Sequence, residues 1–282
     1  MKDQGEHTGQ FRGEHLSRIA DALDRISPPP PDAADWQSAP AFVWDGRTTR
    51  AVERIDAPDL AQLRGIDRQK EMVTANVLRL AQGHAAHDML LWGARGMGKS
   101  ALVRASVRHA QDAGGDIALV QVAADALKTL PDLFAQLAQV ARQFLVYCDD
   151  LGFADGDGTG PRMLRSWLDG GVQARPDNVR LAVTSNRRAI VPRHAAEQDD
   201  PINPRDAVDD MLALADRFGL SLGFHACSQE DYLAIIRGYA AEYGLAFDDA
   251  DALEWAKRRG ARSGRVAWHY VTELAGRAGR TL

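Results

Sequence analysis

Two rhythms of apolar residues alternate along the middle of this chain. Short continuous runs at Met89 to Trp92, Asp116 to Val122, Phe144 to Cys148, Val179 to Thr184 and Leu220 to Phe224 read as strands, several of them buried on both faces. Between them, helical spacing fills Gly98 to Ala113, Leu130 to Arg142, Pro161 to Gly171 and Arg205 to Ala215. Five strands interleaved with helices predict a parallel three-layer α/β sheet, with ligands bound at the carboxyl ends of the strands. After Cys227 the strand rhythm stops. A capping-box-like start at Ser228-Gln229-Glu230-Asp231 opens a helix to Tyr243, and two more follow at 248–259 and 264–276, a small all-helical domain.

Ahead of the sheet, Phe11, Leu16, Ile19, Ala20, Leu23 and Ile26 take helical spacing, and Pro28 to Pro31 stop that helix. A stiff connector through Ala39-Pro40 follows. Its Trp36, Phe42 and Trp44 are expected to dock on the main body, the alternative being a partner-binding segment. Asp67 is the expected N-cap of a helix whose apolar positions are Met72, Val73, Ala75, Val77, Leu78 and Leu80. The chain therefore divides into 1–60, 61–227 and 228–282.

Composition narrows the class. Among 282 residues, 45% hydrophobic and 26% charged is enough apolar material for a substantial core. A net charge of -5 argues against a sequence-independent nucleic-acid binder, while leaving a local basic face open. Cys148 and Cys227 form no metal or disulfide pattern and are expected as reduced, buried thiols. The N-terminus lacks an apolar signal core and no later run is long enough to span a bilayer, so a cytoplasmic, membrane-free protein is expected.

Candidate chemistry centres on Gly93-Ala94-Arg95-Gly96-Met97-Gly98-Lys99-Ser100, with Ala101 next, set between a strand and a helix. The octet fits the phosphate-loop pattern at every fixed position. Its glycines let backbone N–H groups close around phosphates, and the helix N-terminus favours anions. Lys99 would reach the β- and γ-phosphates of a nucleotide and Ser100 would join the shell of Mg²⁺. The strand Phe144 to Cys148 then runs into Asp149-Asp150. Asp149 is the expected metal-organising acid, and Asp150 the group that orients or deprotonates the attacking water. Asn186, at the end of the next strand, can donate to phosphate while accepting from water. Arg187 and Arg188 after it read as a solvated pair. Arg217, projected before the last strand at a subunit edge, suits a neighbouring protomer's phosphates, the alternative being an internal ion pair. Arg265 opens the last helix and would reach back to the nucleotide. Lys257, Arg258, Arg259 and Arg262 make a basic cluster nearby, read as a solvated helix end or a contact for nucleotide or an acidic partner.

In this order the pieces resemble the AAA+ ATPases: Walker A at Gly93 to Ser100, Walker B at Phe144 to Asp150, sensor 1 at Asn186, an arginine finger at Arg217 and sensor 2 at Arg265. More narrowly, GIDRQK, LLWGARGMGKS, YCDDLGF, LDGGVQARPDNV, TSNRR, DRFGLSLGF, SQEDYLAI and SGRVAW look like the bacterial ATPase family listed as domain of unknown function 815. The resemblance implies a P-loop NTPase sheet of AAA+ type with a helical lid, Mg-ATP as ligand, and a homo-oligomer at least when nucleotide is bound. A further protein partner and nucleic acid both stay open. Many relatives carry Glu where Asp150 stands, so either slower hydrolysis or a compensating backbone position is implied. Threading relatives also place an aromatic after the second strand. None lies between Gln121 and Pro131 here, which weakens a protein-translocating ring. An ATPase is therefore the leading expectation, an ATP-dependent switch with negligible hydrolysis the second, and a small-molecule kinase the weakest.

Overall fold

The computed structural model describes residues 34–150, 175–186 and 216–282, with positions 15, 18, 19 and 168 (the side chain of Ala124 excepted). Apart from those four positions, the expected helices at 10–26, 161–171 and 205–215 and the Arg187-Arg188 pair lie outside the described residues.

Among the described residues seven strands form one sheet: β1 (Ala41–Trp44), β2 (Thr49–Val52), β3 (Met89–Gly93), β4 (Ile117–Val122), β5 (Gln143–Cys148), β6 (Val179–Ser185) and β7 (Leu220–Phe224), in the order β2-β1-β4-β5-β6-β3-β7. The five expected strands are all present and mutually parallel. Five is nevertheless too few. The supposed connector supplies two more, with β1 parallel to β4 and β2 antiparallel to β1. Phe42 and Trp44 are buried as strand residues, and Trp36 packs edge-on against Phe42 and Phe144 at centroid distances of 4.9 and 6.0 Å. The Trp44 indole N–H donates to Thr129 Oγ1 at 2.8 Å, tying β1 to the turn after β4.

Six helices complete the described fold: α1 (Asp67–Ala81), α2 (Lys99–Asp112), α3 (Leu130–Leu137), α4 (Gln229–Glu242), α5 (Asp249–Arg258) and α6 (Gly264–Arg277). Val73, Val77 and Leu80 of α1 and Leu102, Val103 and Val107 of α2 share one core with Met89, Leu91, Leu145 and Tyr147 of the sheet. Each such fully buried aliphatic side chain contributes about 1.5–3 kcal/mol relative to exposure. Ile66, not Asp67, occupies the N-cap position of α1, which has no side-chain cap. Asp67 sits in the first turn, where an acid suits the helix dipole, and pairs with Lys70 at 2.9 Å. Helix α3 ends at Leu137, short of the expected Arg142. The Asn178 side-chain amide caps this end by donating to the carbonyls of Leu137, Val140 and Arg142. Arg142 in turn donates to the carbonyls of Trp36 and Ala39, pinning the approach to β1.

The three C-terminal helices start where their caps predict. Ser228 and Asp231 close a capping box on α4, Asp248 accepts from the Asp251 amide, and Ser263 accepts from the Val266 amide. Tyr232, Ile236, Ala252, Ala267 and Tyr270 are buried on the inner side of these helices and join the same core as α1, α2 and the sheet. No described helix is long and apolar enough to cross a membrane.

Candidate functional site

The loop after β3 takes its shape from three left-handed glycines, Gly93, Gly96 and Gly98, at φ 119, 74 and 85°. At Gly93 a side chain has no room, since a Cβ would stand 2.2 Å from the Phe224 carbonyl oxygen. That closeness lets the Ala94 amide donate to the same oxygen at 2.8 Å, stitching the loop to the end of β7. Helix α2 begins at Lys99, directly after the loop.

Lys99 is 5% exposed, and its ammonium donates to the carbonyls of Gly93 (2.9 Å) and Ala94 (2.8 Å) and to Asn186 Oδ1 (3.1 Å). Burial lowers its pKa, opposed by Asp150 and Asp149 and reinforced by Arg265 and Arg95. Strand register brings the acids alongside: Cys148 of β5 pairs with Val183 of β6, so Asp149 and Thr184 follow as neighbours. Asp149 Oδ1 accepts from Ser100 Oγ at 2.8 Å and from Thr184 Oγ1 at 2.7 Å. Burial pushes the Asp149 carboxyl up. The hydroxyls of Tyr147, Thr184 and Ser100, with Arg104, more than offset this and hold it below the usual carboxylate range.

Asp150 is the one non-glycine residue with positive φ among those described, at 46°. Aspartate tolerates this region better than most residues because its short side chain finds local hydrogen bonds. Its amide donates to Thr184 Oγ1 at 2.8 Å, and its carboxylate accepts from Asn186 Nδ2 at 2.5 Å. Asn186 thus joins Lys99 to Asp150.

These groups line a cavity of about 390 Å³ together with Gly96, Met97 and Gly98 from the loop, Ala101 from α2 and Arg265 from α6. The Arg265 amide donates to the Gly96 carbonyl at 3.2 Å. Four sequence candidates, Gly93, Ala94, Arg95 and Arg217, do not line this cavity. Gly93 ends β3, and Ala94 and the exposed Arg95 border a second cleft with Lys257 and Arg262, which accounts for part of the basic cluster. Arg217 is half-buried before β7, at the amino end of that strand, whereas the cavity opens at the carboxyl ends.

Several lining residues escaped the sequence reading. Leu63 and Ile66 precede α1, while Ile235, Tyr239 and Trp268 come from the lid, and together they make an apolar end to the cavity. Tyr239 and Trp268 meet edge-on with centroids 5.1 Å apart. Trp268 lies one helical turn after Arg265, and that spacing was the available signal. Arg104 anchors the approach from the other side, donating to the Asp56 carbonyl at 2.7 Å. The residues also fit a magnesium ion. Mg²⁺ favours one or two protein oxygens plus phosphates and water, and Ser100 and Asp149 offer such a pair beside the phosphate loop. Among the described residues no group of three or more His, Cys, Asp or Glu is placed to make an all-protein cage.

Comparison with solved structures identifies the architecture. A variant of RuvB from Thermotoga maritima superposes with a TM-score of 0.52 at 17% identity, covering 79% of this chain and 66% of the other. The ORC1 protein of Aeropyrum pernix, solved in complex with DNA, gives 0.54 at 15% identity, covering 78% and 65%. This chain spans slightly less than two thirds of the length of those longer chains. No functionally curated protein matches the sequence. A family profile described as "Protein of unknown function (DUF815)" matches residues 37–278, so the chain belongs to that family and carries the nucleotide-binding fold of the AAA+ ATPases.

Proposed function

We propose that the chain is a Mg²⁺-dependent ATPase that hydrolyses the β–γ phosphate bond and converts nucleotide state into movement of the lid. The observation that carries this reading is the continuous set of contacts Lys99–Asn186–Asp150 and Ser100–Asp149–Thr184 around one cavity. Lys99 would exchange its loop carbonyls for phosphate oxygens of ATP. Ser100 and Asp149 would hold the metal, which when bound supplies charge neutralisation at the β- and γ-phosphates. Asp150, aimed by Asn186, would orient a water and take its proton as the water oxygen bonds to the γ-phosphorus. The bond to the bridging oxygen then breaks, leaving ADP and inorganic phosphate. The left-handed backbone at Asp150 supports this role, because it re-aims a side chain one methylene shorter than glutamate.

Arg265 would register the phosphates from the lid side, and the apolar end formed by Leu63, Ile66, Ile235, Tyr239 and Trp268 would take the base. Arg217 is proposed to act on the nucleotide of a neighbouring copy, as an arginine finger in a homo-oligomer. A further protein client acted on by the lid movement is part of the same proposal.

A second reading is a switch that holds ATP and hydrolyses it negligibly. It is favoured by the Asp150 carboxylate, whose Oδ1 is already bonded to Asn186 at 2.5 Å. Single-turnover hydrolysis decides between them. Asp150→Asn is expected to lower the rate by about a hundredfold or more if Asp150 is the general base. An unchanged rate denies Asp150 that role. Wild-type turnover per protomer that rises with protein concentration supports the trans arginine, and a constant value removes it.

A further inference from the structure

Four side-chain nitrogen or oxygen atoms are buried without a closed hydrogen bond among the described residues: Arg142 Nε, Arg175 Nε, Trp255 Nε1 and the Tyr147 hydroxyl. Two of the four have a carboxylate to account for them: Arg142 Nε stands 3.0 Å from an Asp116 oxygen, and Arg175 belongs to an ion pair with Asp88. Trp255 is an indole whose ring carries the Arg259 guanidinium at 4.4 Å, away from the nucleotide cavity. Tyr147 differs from these three. It is 1% exposed inside the core formed by β5, α1 and α2, where an aliphatic or phenyl side chain would serve the packing better than a phenol.

What surrounds the hydroxyl explains its presence. Tyr147 stands two residues before Asp149 and shares its face of the sheet, and the polar groups acting on the hydroxyl are Asp149, Ser100 and Thr184. Asp149 Oδ1 already accepts from Ser100 and Thr184. Were Ser100 to turn its oxygen toward a metal ion, the carboxylate would share that donor, and the buried phenol is a further donor already in place. We infer that the Tyr147 hydroxyl is a positioning group for Mg²⁺, closing on the Asp149 carboxylate when the metal is held by Asp149 and Ser100. The inference rests on the metal reading of those two residues and assigns Tyr147 a part that the phosphate-loop pattern does not contain.

The consequence is a pair of effects with opposite signs. A buried hydroxyl that stands by the Asp149 carboxylate without a closed hydrogen bond costs stability in the nucleotide-free fold, while closing that bond would strengthen metal binding. Tyr147→Phe is the test, read with a fluorescent ADP in EDTA and then in rising Mg²⁺. The expected result is nucleotide affinity in EDTA equal to wild type, with the Mg²⁺ midpoint raised on the order of 10–100-fold. The nucleotide-free Tm should be equal to wild type or up to ~4 °C higher. A Tyr147→Phe midpoint equal to wild type overturns the inference while leaving the metal site standing. A Tm several degrees below wild type also overturns it, because the hydroxyl then serves the core. If wild-type binding itself ignores Mg²⁺, the metal reading falls and the Tyr147 assignment with it.

Discussion

The two ends of the cavity are built differently. At the proposed phosphate end, Lys99, Ser100, Asp149, Thr184 and Asn186 are already bonded to one another, from the start of α2 and the carboxyl ends of the adjacent strands β5 and β6. At the other end, Ile235, Tyr239, Arg265 and Trp268 come from the C-terminal helices, and the Arg265 amide bonds to the Gly96 carbonyl of the loop. An exposed Gln62–Glu242 pair joins the same helices to the segment before α1. The first end stands on the sheet itself. The second stands on helices whose inner residues, Tyr232, Ile236 and Tyr270 among them, share one core with the sheet, while Arg265 at the cavity is exposed.

The largest test of this contrast is Lys99→Ala, which removes the buried cation proposed to meet the phosphates. Nucleotide affinity should fall about a hundredfold by equilibrium titration, since charge-assisted bonds to phosphate are the strong ones. Retained affinity would mean that the phosphate end is not where binding energy resides. Next comes Gly96→Ala. The new Cβ would stand 2.8 Å from Ser263 Oγ and 3.1 Å from Arg265 Cβ, on a backbone at φ 74°. The expected outcome is a lid displaced from the loop, seen as faster limited proteolysis between the sheet and the C-terminal helices, and roughly tenfold weaker nucleotide binding. Gly260→Ala has a similar φ of 67° with nothing within 4 Å, and so separates backbone strain from collision. If both variants behave alike, the Gly96 contact is not what docks the lid.

A smaller effect is expected from Arg265→Ala. The fold should stay intact, with the melting temperature within about 2 °C of wild type, because the side chain is a surface-accessible member of the cavity. ATP-induced protection from protease should disappear; full protection would remove Arg265 from the lid response. The smallest effect lies away from both ends, in the turn between β1 and β2. Asp45 accepts from the Thr48 hydroxyl and from the Thr48 and Arg47 amides, which lowers its pKa from 3.8 to about 2. Because the folded value is below the unfolded one, this contribution is complete above pH 3.8 and is lost as the pH falls toward 2. Asp45→Asn should therefore flatten the stability profile slightly between pH 4 and 2 in acid denaturation, leaving nucleotide binding unchanged.

The same contrast governs what was legible in the amino-acid order. Gly93 to Ser100 and the run from Phe144 into Asp149 announce themselves because each is a local pattern with a local physical reason. The helix starts at Ser228, Asp248 and Ser263 are legible likewise, since a cap acts within one turn. The apolar end is not, because Leu63, Ile66, Ile235, Tyr239 and Trp268 come from separate segments and look like ordinary core positions until folding gathers them. Strand β1 stayed hidden for a related reason. Its four residues follow a proline-rich stretch, and the partner that makes them a strand is β4, far along the chain. Tyr147 reads as one more apolar strand residue, and only its burial beside two serine/threonine hydroxyls and an acid shows that its oxygen matters.

The pairing of β1 with β4 has a consequence for synthesis. As the polypeptide leaves the ribosome, Ala41–Trp44 emerges well before Ile117–Val122, the strand it must lie beside. Until then Phe42 and Trp44 have no sheet to cover them, and the nascent hairpin is a sticky, unanchored ribbon. The phosphate loop is translated during that interval. Chaperone dependence of expression should therefore track substitutions in this early ribbon more closely than substitutions in the nucleotide cavity itself.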